Sequence, residues 1–346
     1  MKVYIDWPPS TSHGWGIYAV NLILQWSKDP EIEMAFPDGE LIVDPLRWHA
    51  ICRPVTWQRK DADVWLHGLG NGFHYEPDTP RDRTIGVVFF EEQPDAEAIW
   101  RAKRYPLIIT GSTWNERVLR DAGVSRVRTI FQGVDRTLFH PAPRLGLFGD
   151  RFAVFSGGKA EYRKGQDIVL AAFKRFAVEH RNALLVTAWH NQWPYLIRSL
   201  DKSGLCTPVP MPFSPKQWAA DNGINPDQVI DIGQVQNTLM PTIYRECDCA
   251  VFPNRCEGGT NLVAMEAMAC GLPTAVSSGH GHDDLQGPDW IGPNDPVDET
   301  LLVMNMFREM GFVYRDDGLF GFQWSDAARK LKEACREVLS CATTLA

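Results

Sequence analysis

A chain of 346 residues, 44% hydrophobic and 23% charged, has a folded protein's composition and enough length for two domains. Its net charge of -8 speaks against a general nucleic-acid binder, which needs a basic surface. No apolar run reaches the ~18 residues of a membrane-spanning helix, and the opening MKVYIDW reads as a strand rather than a signal peptide. Eight cysteines, spaced neither as CxxC pairs nor as a zinc ribbon, fit a reducing, cytoplasmic setting.

In chain order, Lys2–Asp6 predicts a first strand, Pro8–Gly16 a loop, and Ile17–Lys28 a helix with Ile17, Val20 and Leu24 on one side. The glycine-bearing loop before that helix is either an anion-binding turn or a plain connection. Further strands are predicted at Glu33–Phe36, Leu41–Val43, Val64–Leu66, Ile85–Phe90, Leu107–Thr110 and Val127–Phe131, with a helix over Trp114–Ala122. Such alternation predicts a parallel, doubly wound sheet. Gly133–Asp150 is rich in Pro and Gly and reads as a linker. Alternation then restarts with strands Phe152–Ser156, Ala183–Ala188, Val229–Asp231, Cys249–Phe252 and Thr274–Val276, and helices Gln166–Glu179 and Leu239–Glu246. Ser325–Leu339 is strongly amphipathic and predicts a closing helix. Two α/β halves joined by a linker predict a cleft between them, where ligands of such sheets sit.

The stretch DCAVFPNRCEGGTNLVAMEAMACGLPT, Asp248 to Thr274, carries the densest chemistry. It predicts a strand, a Gly258-Gly259 turn, and a helix capped by Thr260 or Asn261 that buries Leu262, Met265 and Ala269. Gly271 and Pro273 stop the helix. A helix opened by a glycine turn presents unpaired N–H groups and its positive dipole end, which suits a phosphate. Glu266, about one turn in, is placed to accept hydrogen bonds from a ribose, and Glu257 precedes the turn where a sugar would lie. The loop Gly157–Gly165 sets Lys159, Arg163 and Lys164 beside glycines, which fits a diphosphate or simply a solvated basic turn. It does not match a P-loop.

Other features are weaker. His280-Gly281-His282-Asp283-Asp284 has metal-ligand residue types, but lacks a second cluster and reads as plain loop. Asp61-Ala62-Asp63 resembles the DxD of some transferases, yet acidic residues at a strand start are ordinary. His67, and Glu91-Glu92 after GVVFF, fall at strand ends where active sites gather. Thirteen tryptophans are many; core packing is the default for each, with sugar stacking the alternative.

Four blocks in order resemble a retaining GT-B nucleotide-sugar glycosyltransferase, in the family-four group with sucrose synthases and bacterial mannosyltransferases. They are GSTWNERVLRDAGV…VRTIFQGVDRTLFHP, FSGGKAEYRKGQDIVLAAF, DIGQVQNTLMPTIYRECDCAVFPN and CEGGTNLVAMEAMACGLPTAVSS. The resemblance implies two Rossmann-like domains, acceptor-side over 1–140 and donor-side over 150–324, with helix 325–346 crossing back to the first. It implies that Glu257 contacts the transferred sugar and Glu266 the ribose. Gly158, Gly258, Gly259, Lys159, Lys164 and the amides of Thr260, Asn261 and Leu262 would hold the diphosphate. Gly16 would close on it, and backbone near Val235 would meet the base.

Three departures stand out. The family's glutamates are separated by one residue fewer than Glu257 and Glu266. Lysine replaces arginine at 159, losing the bidentate fork. Glu91 stands where the family often has a histidine, so that either Glu91 or His67 takes over its sugar contact. The implied reaction needs no metal and no cofactor beyond the nucleoside diphosphate sugar. The acceptor is a glycan or other hydroxyl compound, with peripheral membrane contact left open. A catalytically silent sugar-nucleotide or glycan binder and a GT-B epimerase are the alternatives.

Overall fold

The computed structural model describes residues 1–37, 57–74, 78–191, 193–311, 318–319 and 321–345. The predicted strand Leu41–Val43 lies outside them. By contacts the chain divides into two compact units, one of Met1–Asp135, Gly258–Thr260 and Phe320–Ala346, the other of Arg136–Glu257 and Asn261–Leu319.

The first unit is built on strands β1 (Lys2–Ile5), β2 (Glu33–Ala35), β3 (Val64–Leu69), β4 (Thr84–Val88), β5 (Leu107–Thr110) and β6 (Val127–Thr129). All neighbours pair in parallel, in the order β2-β1-β3-β4-β5-β6. Helices α1 (Gly14–Trp26), α2 (Ala96–Ala102) and α3 (Thr113–Asp121) connect them. Strands covered on both faces must be apolar throughout, and β4 and β5 are buried at every residue.

In the second unit β7 (Phe152–Lys159), β8 (Ala183–His190), β9 (Val229–Asp231), β10 (Cys249–Phe252), β11 (Thr274–Ser277) and β12 (Asp289–Ile291) pair in parallel as β12-β11-β10-β7-β8-β9. Its helices are α4 (Gln166–Glu179), α5 (Pro194–Ile197), α6 (Pro215–Asp221), α7 (Met240–Glu246), α8 (Leu262–Ala269) and α9 (Pro296–Met310). One core joins Phe173 and Phe176 of α4, Trp189 of β8, Trp218 of α6 and Phe307 of α9. The closing helix α10 (Trp324–Leu345) belongs to the first unit. Its buried residues Trp324, Ala327, Ala328, Leu331, Ala334, Cys335 and Val338 recur at helical spacing. Trp26 Nε1 of α1 donates to the Ala328 carbonyl (3.1 Å), and Lys332 Nζ meets Asp29 at 2.5 Å.

Both doubly wound sheets are as expected, but several boundaries move. Strand β7 runs on through Gly157–Lys159, read from sequence as loop, because β8 offers partners to the end, with Gly158 opposite Trp189 and Lys159 opposite His190. Helix α1 starts at Gly14, since His13 Nδ1 accepts from Gly16 N–H (3.0 Å), so Gly16 sits in the first turn rather than in a loop. Strand β3 extends to Leu69, which places His67 inside the strand rather than at its end.

Candidate functional site in the second unit

Strand order in the second sheet reverses between β7 and β10, which lead outward in opposite directions. The crevice beyond their carboxyl ends is where such sheets bind ligands. Lys159 ends β7, the Tyr162–Lys164 turn follows it, and Asn254–Glu257 follow β10.

The turn carrying Lys164 is braced from the β10 side. Arg255 grips the fully buried Asp167 with both ends of its guanidinium, Nη1 to Oδ1 at 2.8 Å and Nη2 to Oδ2 at 2.6 Å. Arg255 also donates to the Tyr162 carbonyl (2.7 Å), and its backbone N–H to that of Arg163 (2.7 Å). Gly165 closes the turn at φ +70°, where a Cβ would lie 2.2 Å from the Pro253 oxygen. Glycine alone fits there.

This geometry sets Lys164 Nζ on Glu257 Oε2, which also accepts from Asn254 Nδ2 at 2.7 Å. Arg163 Nη1 lies 3.7 Å from Glu257 Oε1 and Nη2 lies 2.6 Å from Glu161 Oε1. Burial opposes the charge on Glu257, yet Lys164 and then Arg163 outweigh it and hold its pKa down at about 2. Lys159, at the end of β7, has its ammonium 5.1 Å from the Trp193 ring centroid.

A second layer comes from the loop after β11. Gly281 N–H donates to the Glu257 carbonyl (3.0 Å), and the rings of His280 and His282 lie 4.8 Å apart. His280 Nε2 is 3.1 Å from the Asn254 carbonyl. Burial pushes the His280 pKa down, and burial followed by the neighbouring His280 pushes that of His282 down to about 3. A neutral His282 whose Nδ1 faces the Ser277 carbonyl (3.0 Å) must donate there, leaving Nε2 to accept from Asn261 Nδ2 (3.2 Å). Asn261, the residue before α8 and one of the two cap candidates, sits at φ +62° and its side chain makes no capping bond. The first N–H groups of α8 are thus left uncapped by Asn261.

Helix α8 is buried nearly all round, Leu262, Met265 and Ala269 included. Glu266 is buried too, accepting from Asn237 Nδ2 (2.6 Å) and the Tyr244 hydroxyl (3.2 Å). Burial and the adjacent Glu266 push the Tyr244 pKa well up, so the phenol stays a donor. Val235 lies half-buried in the loop after β9, and Gly158, at φ +121°, lies against the Lys164 side chain.

The remaining candidates lie in the first unit. His67 Nδ1 is 2.7 Å from Asp6 Oδ2, where β1 ends beside β3 at that sheet's own reversal point. Glu91 is half-buried and its N–H donates to Asn71 Oδ1 (3.2 Å). A Cβ on Gly16 would lie 2.4 Å from that of Ser10. Gly258, Gly259 and Thr260 group with this unit, where Ser112 Oγ donates to the Gly258 carbonyl (2.8 Å). Asp61 and Asp63 are spent on backbone, accepting from Gln58 N–H (2.9 Å) and Lys2 N–H (2.7 Å). Among the described residues no group of three or more His, Cys, Asp and Glu is arranged to hold a metal ion, His280 and His282 included. Among them, too, no helix is long and apolar enough to cross a membrane.

Sequence reasoning missed Asn254, the Arg255–Asp167 brace and the part His282 plays beside Asn261. In the sequence these histidines read only as metal-ligand types.

Residues 150–299 match the family model of Glycosyl transferases group 1. D-inositol 3-phosphate glycosyltransferase 1 of Catenulispora acidiphila is 29% identical over 245 residues, 64% of this chain and 54% of that protein. Spore coat protein SA of Bacillus subtilis is 22% identical over 244 residues, 60% of this chain and 58% of that protein. The chain thus spans about half the length of the curated relatives it matches. Sucrose-phosphate synthase from Thermosynechococcus elongatus shares the two-domain GT-B fold at a TM-score of 0.68 and 16% identity, covering 98% of this chain and 99% of that one. Anabaena HepE, in complex with UDP and glucose, does so at 0.69 and 13%, covering 97% and 100%.

Proposed function

We propose, from the match of residues 150–299 to the Glycosyl transferases group 1 model, that the protein moves a sugar from a nucleoside diphosphate sugar to a hydroxyl acceptor. The observation that carries this reading is Lys164 beside Glu257 at the reversal point of the second sheet. The bond from the anomeric carbon to the diphosphate breaks and a bond to the acceptor oxygen forms on the same face. The acceptor's proton passes to the leaving phosphate oxygen, and configuration is retained. Negative charge grows on the diphosphate as it leaves, and fixed cations and helix-end amides are what stabilise it. Lys164, Lys159 and the opening of α8 supply these, so the step needs no metal. Glu257 orients the sugar, and Glu266, already positioned by Asn237 and Tyr244, receives the ribose. His67 and Glu91 are the first unit's candidates for a polar contact with substrate. Because HepE, of the same fold, is seen in complex with UDP, UDP is the first nucleotide to try. A cytoplasmic setting completes the reading.

A silent sugar-nucleotide binder is the second reading, favoured by the extra residue between Glu257 and Glu266. One assay separates the two. Incubation with UDP-, GDP- and ADP-sugars and a panel of hydroxyl acceptors should release nucleoside diphosphate, and Lys164→Ala should cut the rate by about 100-fold or more with the fold intact. Undiminished turnover removes Lys164 from the mechanism. Binding with no release from any donor supports the silent reading.

A further inference from the structure

Lys164 is not a bare cation in this structure. Its ammonium rests on Glu257 Oε2, with the two side chains only 9% and 8% exposed, so solvent and salt screen the pair little. Asn254 Nδ2 donates to the same oxygen at 2.7 Å, and Arg163 stands 3.7 Å from the other. A diphosphate brought to Lys164 sets a second anion against one ammonium, and like charges in a buried site repel strongly. One of the two must yield.

Resting on the glycosyl-transfer reading, we propose that Glu257 is the resident counter-ion of Lys164, displaced by the donor's diphosphate and restored when the nucleoside diphosphate leaves. The carboxylate competes with the diphosphate in both directions. It weakens binding of the spent nucleotide and so speeds its release. While displaced, its oxygens are available to a sugar hydroxyl, so one side chain serves both stages. A contact to sugar alone makes a different prediction for ligands that have none. Such a contact leaves the affinity for a sugar-free nucleotide untouched by changes at Glu257, whereas a counter-ion alters it.

The test is calorimetric titration of UDP, GDP and ADP into the full chain, wild type and Glu257→Gln. Glutamine keeps the size and removes the charge. The nucleotide that binds best should bind Glu257→Gln about tenfold more tightly, a loss of local repulsion of the size that close charges produce. Unchanged or weaker binding by Glu257→Gln overturns the proposal. Should that variant fail to fold, Glu257→Ala removes the same carboxylate and should tighten binding likewise, and no gain there overturns the proposal equally. Wild type that binds with no gain in the variants removes only this role of Glu257. Absence of binding in wild type and in both variants removes the glycosyl-transfer reading and this proposal with it.

Discussion

Replacing His282 with glutamine should change how the second unit's stability depends on pH. The imidazole is fully buried, 3.0 Å from the Ser277 carbonyl and 3.2 Å from Asn261 Nδ2, and burial and His280 hold its pKa at about 3. In the unfolded chain a histidine takes up its proton near pH 6.5. The unfolded state therefore binds a proton that the folded state refuses until about pH 3, and stability falls as pH falls. The contribution is complete above about pH 6.5 and is lost progressively toward about pH 3. Between about pH 6.5 and pH 5 the loss from His282 alone comes to about 1.6 kcal/mol. That is a sizeable part of the ~5–15 kcal/mol that holds a domain together. Urea unfolding of wild type and His282→Gln, read by hydrogen exchange in second-unit peptides, measures it. The stability gap between the two should shrink by about 1.6 kcal/mol over that pH step. Parallel pH curves would refute the buried, neutral imidazole.

Three other changes test the architecture around the site. Gly165→Ala puts a Cβ 2.2 Å from the Pro253 oxygen at φ +70°, and should cost about 2 kcal/mol or more, seen as a lower Tm. Trp193 is 38% exposed with the Lys159 ammonium 5.1 Å from its ring. Losing that contact in Trp193→Ala should raise the nucleotide Kd about two- to fivefold, with Trp193→Phe in between. The buried Glu246 carboxylate accepts from the N–H groups of Leu145 and Leu147, and Glu246→Gln should cost about 1–3 kcal/mol and speed proteolysis between residues 142 and 150.

Much of the fold was legible because its signals are local. Helix α4 and strand β10 begin and end where glycine, proline and apolar runs place them. Strand β7 outran its predicted end because strand length is set by what the neighbour offers, and β8 is eight residues long. Helix α9 was overlooked although its markers are in the chain: Asp295 accepts from Val297 and Asp298 N–H, Pro296 opens the first turn and Gly311 follows the last. The contacts of the site were another matter. Lys164 and Glu257 are 93 residues apart and Arg255 and Asp167 are 88 apart, so only the strand order brings them together. The sequence offered cations and carboxylates as separate lists. It held nothing to show that one carboxylate would occupy the lysine, or that a histidine would turn Asn261 away from capping its helix.

The proposed transfer depends first on Lys164 taking hold of a diphosphate. Phosphorus NMR of UDP, GDP and ADP with the protein added measures this directly, because both phosphorus signals report their own surroundings. At least one nucleotide should show both signals shifted and broadened by wild type and left unchanged by Lys164→Ala. Signals equally displaced by wild type and variant, or displaced by neither, would contradict it.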